Sequence, residues 1–236
     1  MKQLFQGRAA CALLSVLLVC AAAEVASAQG NRSADARRHA QQAATVFRQI
    51  MGVADKSIPK ELLDKAEAVA VFPGVLKAAF GVGGRKGQGV ISRRTANGWS
   101  APAFFNLGGL SIGAQIGGAK TDFVFLVMNE KGLKGLLEDK FEFGGEVGVA
   151  AGPVGREASA ATNATLDAGI LSYSRSKGAF IGAAIKGGAI TPDNDLNEAF
   201  YGAKASDVLG GTAKLDKKTS AAVAVFPQTL ARYSKR

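Results

Sequence analysis

No carboxylate occurs between Ala68 and Thr121, a run of 54 residues that carries Lys77, Arg85, Lys86, Arg93, Arg94 and Lys120. Histidine occurs once, as His39, and both cysteines, Cys11 and Cys20, fall within the first 20 residues. Aromatic side chains suited to base stacking are few, with one tryptophan and three tyrosines. Each scarcity removes a class of chemistry. A single histidine excludes His-based triads, multi-histidine zinc sites and the HExxH helix. The cysteine positions leave residues 29–236 without a disulfide, so that part is held by its core alone. Scarce stacking rings argue against nucleic acid as a partner, although the charge would permit it.

The motif matches that remain have structural explanations. Ser57-x-x-Lys60 and Ser174-x-x-Lys177 share the spacing of serine–lysine enzymes, but Ser-Asp-Asn and Lys-Thr-Gly are missing. Ser57 is moreover placed to cap a helix. No GxxxxGK loop is present, and the glycines from Gly81 to Gly89 do not fit GxGxxG. Asp193-Asn-Asp-Leu-Asn197 opens like a calcium loop, yet Glu198 replaces its glycine and Lys204 its last glutamate. Asp193 or Asp195 therefore reads as a helix cap. Glu142 and Glu146 share a strand face with no nucleophile indicated, and His39 reads as a solvent-facing helix residue. The expectation is no enzyme, no metal site and no cofactor.

Residues 1–28 read as a secretory signal. Lys2 and Arg8 precede an uncharged apolar run from Ala9 to Ala23, and Ala26-Ser27-Ala28 supplies a small-x-small cleavage site. The run is short for a spanning helix, which needs about 20 residues. A retained anchor and a lipoprotein acylated at Cys20 are the other readings; Val19 is bulky for a residue preceding a lipidated cysteine. Losing Lys2, Arg8 and Glu24 takes the net charge from +10 to +9. The expected location is periplasmic or envelope-associated.

Asp35 to Ala54 has the period of an amphipathic helix, with Ala36, Ala40, Ala43, Phe47, Ile50 and Ala54 on one stripe. Such a helix either inserts in lipid or covers a sheet, and the small alanines favour the second. A short helix follows Ser57-Ile-Pro-Lys-Glu61. Strands are expected at Val69–Phe72, Ala79–Gly83, Gly89–Arg94, Trp99–Asn106, Leu110–Ile116 and Asp122–Met128, broken at Pro73-Gly74 and Asn97-Gly98. Helices are expected at Glu130–Asp139 and Asn194–Tyr201, and further strands around Phe141–Ala150 and Leu166–Ile190. The uncharged segment Trp99–Ala119 also suits a membrane helix with a GxxxG face, but Leu110, Ile112, Ala114 and Ile116 alternate with period two, which favours a strand. Ala68-Val-Ala-Val-Phe-Pro73 returns as Ala222-Val-Ala-Val-Phe-Pro227. Two equivalent strands or chance in an Ala/Val-rich chain would each produce that echo.

The fold class is α+β: one domain with a largely antiparallel, glycine-rich sheet or sandwich, an N-terminal amphipathic helix and short helices packed on it. Expected boundaries are 1–28 for the signal, 29–57 for the helix and lead-in, 58–211 for the domain, and 212–236 for a basic tail or added strand.

Ile58-Pro59, Ala66 through Pro73, Phe80-Gly-Val-Gly-Gly-Arg-Lys-Gly-Gln-Gly-Val90 and Trp99-Ser-Ala-Pro102 open a long ordered pattern. Gly109, Gly113, Gln115-Ile-Gly117, Thr121-Asp-Phe123 and Ala151-Gly-Pro153-Val-Gly-Arg156 extend it. Tyr173-Ser-Arg-Ser-Lys-Gly178, Asn194 and Asn197-Glu-Ala-Phe-Tyr-Gly202 complete it. In this order the block from Ile58 to Gly202 resembles the SYLF lipid-binding domain family. The resemblance implies a non-enzymatic protein that binds membrane phospholipid; eukaryotic members are associated with phosphoinositides, and fungal members also with actin binding and bundling. An exported member would meet envelope lipid such as phosphatidylglycerol or cardiolipin.

Lys77, Arg85, Lys86, Arg93 and Arg94 are the candidate headgroup contacts, since an acid-free basic segment attracts phosphate and small glycines let backbone N–H groups approach it. Binding of a filament or envelope polymer is the competing function.

Overall fold

Alternation governs the central strand. Along Ala68–Phe80 (β1), Val69 and Val71 face one way and Ala68, Ala70 and Phe72 the other, and all five are fully buried. A strand buried on both faces needs neighbours on both edges and cover on both sides. The computed structural model describes residues 30–53, 57–80, 82–112, 117–138, 140–143, 147–155, 168–176, 179–183, 185 and 187–234. The predicted signal segment 1–28 lies outside them, as does Glu146.

β1 pairs antiparallel with Val82–Thr95 (β2) on one edge and with Gly117–Val127 (β5) on the other. Gly98–Trp99 (β3) returns against β2, and Ala103–Ile112 (β4) extends the sheet beyond it. The remaining strands are Phe141–Glu142 (β6), Val149–Ala151 (β7), Ile170–Ser176 (β8), Ala179–Gly182 (β9) and Ala189–Pro192 (β10). The sheet order is β6-β10-β4-β2-β1-β5-β8-β7, with β9 also on β8; only β7 runs parallel to its neighbour. The predicted glycine-rich antiparallel sheet is therefore one mixed α/β domain.

Helices cover both faces. Residues 30–51 form α1, followed by Lys60–Lys65 (α2), Glu130–Leu137 (α3), Asn194–Tyr201 (α4), Ala205–Gly210 (α5), Lys217–Ala222 (α6) and Val225–Tyr233 (α7). Ala36, Ala40, Ala43, Phe47 and Ile50 of α1 and Phe226 and Leu230 of α7 pack on the side of Val71 and Phe104. Leu133 and Leu136 of α3 and Val208 and Leu209 of α5 pack on the side of Phe72 and Phe105. The alanine stripe thus seats α1 on the sheet. No helix among the described residues is long and apolar enough to cross a membrane, and in the uncharged stretch after Trp99 residues 103–112 and 117–119 are strand, while 113–116 lie outside the described residues.

Pro73-Gly74 does not end its strand. The registers of β1 with both neighbours shift between Val71 and Leu76, the mark of a β-bulge. Pro73 has no N–H for the ladder, and Gly74 sits at φ +57, where its N–H donates to Asp122 Oδ1 at 2.7 Å. The extra residue reverses the alternation: Val75 joins the face of Phe72, so Leu76 turns to the face of Val71. Gly89 supports the bulge from β2, since a Cβ there would overlap the Val71 carbonyl oxygen and the Phe72 ring.

Several expectations are corrected. The segment from Thr212, read as a basic tail or strand, forms α6 and α7 and supplies fully buried Val223, Phe226 and Leu230 to the core. Phe226 and Leu230 share one face of α7 at a step of four, Val223 joins them from the turn between the two helices, and Pro227 sits in the first turn of α7, where it removes no helical hydrogen bond. Residues of α1, the sheet and α7 share one core. His39 is buried at 6% exposure, with its ring 6.4 Å from Phe104, because the apolar stripe of α1 is wider than its alanines alone suggest. Ser57 does not cap α2: Pro59 holds the N-cap position, and the Ser57 carbonyl accepts from Gly155 N–H instead. The hairpin turn encloses Ala96-Asn97, one residue before the expected pair, with Gly98 at φ +111 pairing Thr95. Ala79–Gly83 is split between β1 and β2, which meet at the Phe80–Val82 pair.

Candidate functional site

The pairing of β2 with β4 keeps one register from Val82 to Ile91, and its pairing with β1 continues the alternation to Arg93. Arg85 and Arg93 consequently share one face of the sheet, and Lys86 and Arg94 the other. Arg85 and Arg93 are also eight residues apart, roughly 26 Å along the strand. The five cations named from the sequence do not converge on one patch.

Arg94 belongs to the interior. Its Nε donates to the Ala66 carbonyl at 2.9 Å and its Nη2 to the Leu63 carbonyl at 2.7 Å, while the guanidinium lies 4.2 Å over the Trp99 ring. These bonds serve carbonyls at the C-terminal end of α2, where the Leu63 carbonyl also accepts from the Ala66 N–H at 3.3 Å. Buried and engaged in this way, Arg94 does not reach a headgroup, which corrects its assignment. Arg93 is half-buried opposite Ala68, with its backbone N–H donating to Ser100 Oγ at 3.0 Å. The glycines are no phosphate cradle either. Gly83, Gly84, Gly87 and Gly89 lie in the antiparallel pairing of β2 with β4, and a Cβ on Gly87 would overlap Val75.

Beyond the bulge the sheet carries a group of exposed cations. Lys77 lies directly opposite Arg85 on one face. On the other face Leu76 lies between Lys86 on β2 and Lys120 on β5, in one row across three strands. Leu76 is 55% exposed, and Lys77, Lys86 and Lys120 are exposed as well. None of these lysines makes an ion pair among the described residues. Arg85 is half-buried, and desolvation holds its guanidinium below the usual arginine value while leaving it charged at neutral pH. Beside the row, Asp122 is already neutralised: Arg175 Nη2 bonds its Oδ2 at 2.7 Å, and the Gly74 N–H takes its Oδ1. Glu142, further along the row's face through Gly108 and Ala189, is paired with Lys140 at 2.5 Å.

Leu76 and the role of Lys120 were missed from the sequence, because strict alternation across Pro73-Gly74 places Leu76 inside. A proline–glycine pair inside an apolar strand signals a bulge, and counting one extra residue there recovers the row.

The polar residues of the C-terminal motif are structural. Asn197 is fully buried; its Nδ2 donates to the carbonyls of Phe104 and Asp193, and its Oδ1 accepts from the Phe104 N–H. The Tyr201 hydroxyl donates to the Pro102 carbonyl at 2.7 Å, and burial raises its pKa. Asp193 caps α4 through the Leu196 N–H, as the sequence suggested. Together they fasten α4 to β4.

Residues 108–233 match the family model described as "Ysc84: Las17-binding protein actin regulator". LAS seventeen-binding protein 3 of Saccharomyces cerevisiae is 40% identical over 158 residues, covering 65% of this chain and 34% of that protein. Protein YSC84 of the same yeast is 38% identical over 173 residues, covering 71% of this chain and 36% of its own length. SH3 domain-containing YSC84-like protein 1 of Mus musculus is 30% identical over 184 residues, covering 74% of this chain and 54% of its own. The chain thus spans about a third of the yeast relatives and about half of the mouse relative. With the model matched over more than half its length and the fold continuous to Tyr233, the chain belongs to the Ysc84 (SYLF) family.

Proposed function

We propose that this chain is a non-enzymatic interaction module that binds an acidic protein partner of the actin-filament class. The observation that carries this is the uncompensated positive end of the sheet, where Lys77, Lys86 and Lys120 stand exposed beyond the bulge. The family description and the yeast relatives' names, which refer to actin regulation and Las17 binding, support a protein partner. Exposed lysines steer an acidic partner and give the complex a strong salt dependence. Co-sedimentation with filamentous actin at low and high salt tests the reading. Pelleting that weakens as salt rises is the expected result, and no pelleting at either salt overturns it.

A second reading follows from the N-terminal segment. Ala26-Ser27-Ala28 after an apolar run favours an exported protein, and an exported chain would meet anionic phospholipid in place of cytosolic filaments. Each basic residue near an anionic membrane contributes about 1 kcal/mol, so the exposed cations acting together would hold the domain reversibly. Flotation with vesicles containing phosphatidylglycerol or cardiolipin tests it; recovery equal to that with neutral vesicles would count against it.

A further inference from the structure

The sheet beyond the bulge has two basic faces, and they are not equivalent. On the face of Lys77 and Arg85, the backbone of Gly187 and Gly188 lies over β4: a Cβ on Gly109 would overlap Gly188 Cα. Arg85 is half-buried there. On the face of Leu76, Lys86 and Lys120 the side chains are exposed. This face also continues into a groove. Gln41, Gln42 and Thr45 of α1 form one wall, Pro73, Gly74 and Lys120 form the other, and the space between is about 420 Å3. Lys120 belongs to both the groove and the row.

We infer that the Leu76–Lys86–Lys120 row with its adjoining groove is the docking surface for an acidic protein segment that carries an apolar side chain. The inference rests on the reading of the chain as a protein-binding module and deepens it. Three features select this occupant. The lysines make no ion pair among the described residues, the Asp122 carboxylate on the same face is taken by Arg175 and the Gly74 N–H, and Asp193 accepts from the Gln88 side chain, so the row itself is complementary to acid. Leu76 is an exposed large apolar side chain placed between two cations, which suits an apolar contact ringed by charge pairs. The groove is concave and has side-chain amides on its α1 wall. A protein segment can fill such a groove and bond those amides, whereas a bilayer surface would bridge its mouth and leave it empty.

The test uses the full chain and a fluorescent acidic peptide of alternating Glu and Leu residues, read by anisotropy at two salt concentrations. The variants are Leu76→Asp, the pair Lys86→Glu with Lys120→Glu, and the controls Lys131→Glu, on the helix α3 that covers the opposite face, and Ile181→Asp, another exposed apolar site. All these positions are exposed, and unchanged thermal midpoints will show that folding is retained. The expected result is a loss of about tenfold or more for the Leu76 and double-lysine variants, and about twofold or less for the controls. A Glu–Ala peptide should bind more weakly than the Glu–Leu peptide. Equal losses on both faces, equal affinity for the two peptides, or no measurable binding by the wild type overturns the inference.

Filamentous actin and phosphatidylglycerol vesicles serve as parallel arms. Filament pelleting that survives the row variants removes the row while leaving the protein-binding reading intact. Peptide binding through the row without filament pelleting keeps the row and removes the filament. Row variants that lose vesicle binding alone overturn the protein occupant in favour of a membrane.

Discussion

The guanidinium of Arg94 lies 4.2 Å above the indole of Trp99, its partner across the β2–β3 pair, and from there reaches the carbonyls of Leu63 and Ala66. One side chain thereby ties the end of α2, the central sheet and, through the bond from Trp99 Nε1 to Ser234 Oγ at 2.9 Å, the end of α7. Three segments distant in sequence meet at a charge that was expected on the surface.

Arg94→Lys should therefore be a stability variant. Lysine keeps the charge but cannot reproduce the planar fork that serves two carbonyls and stacks on the indole. Hydrogen bonds from charged donors contribute about 1.5–3 kcal/mol, and the loss should fall in that range. Urea unfolding measures it. A midpoint equal to the wild type would show that the bonds contribute nothing, while partner affinity per folded molecule should be unchanged.

Two glycine substitutions on either side of the bulge should separate steric from conformational cost. Gly89→Ala would drive a Cβ into the Val71 carbonyl and the Phe72 ring, and backbone overlap of this kind costs about 3 kcal/mol or more. Gly74→Ala meets nothing within 4 Å but must hold φ +57, a cost of about 1–2 kcal/mol. Calorimetric midpoints should rank wild type above Gly74→Ala and Gly74→Ala above Gly89→Ala. The reverse order for the two variants would show that β2 can shift away from β1.

Much of this fold is legible locally. The alternation in Val69–Phe72, the alanine stripe of α1, the Asp193 cap and Gly202 at the end of α4 each follow from residues within a few positions of one another. The errors arise where tertiary context decides. Ala222-Val-Ala-Val-Phe-Pro227 repeats the composition of β1, but Val223, Phe226 and Leu230 also recur at steps of three and four, and the packing of α7 against α1, with Tyr233 on Phe47, selects helix. His39 looked polar because its burial depends on Phe104, 65 positions away. The basic site was half legible: charge is visible in sequence, but which face it occupies depends on a bulge of one residue at Pro73-Gly74.

The C-terminal helices should be indispensable. Phe226 is fully buried beside Val223 and Leu230, so Phe226→Ala should cost about 3–5 kcal/mol, and ending the chain at Thr212 should abolish cooperative unfolding. A basic tail would give neither result. Near-ultraviolet circular dichroism of the truncated chain decides it, with a native-like spectrum counting against the shared core.

Stability should fall as pH drops below about 6.5, the ordinary histidine value, because His39 is buried as the neutral form. Desolvation lowers its pKa first, the neighbouring Arg38 charge adds to this, and Asp35 and Asp193 oppose both. Its Nδ1 has no hydrogen-bond partner among the described residues, and its ring lies 6.4 Å from that of Phe104, so protonation in place would bury a charge against an aromatic wall. With the folded pKa depressed, the unfolded chain binds the proton first as pH falls. Stability contributed by neutral His39 is thus complete above the unfolded pKa and declines from there down to the folded pKa. The decline can reach at most about 1.4 kcal/mol per pH unit for one group. His39→Leu keeps an apolar side chain against Phe104 and removes the titration, so its midpoint should change less than that of the wild type between pH 7.5 and 5. Parallel profiles would mean that acid sensitivity comes from the carboxylates, and α1 would then have to accommodate a charged His39 without leaving the sheet.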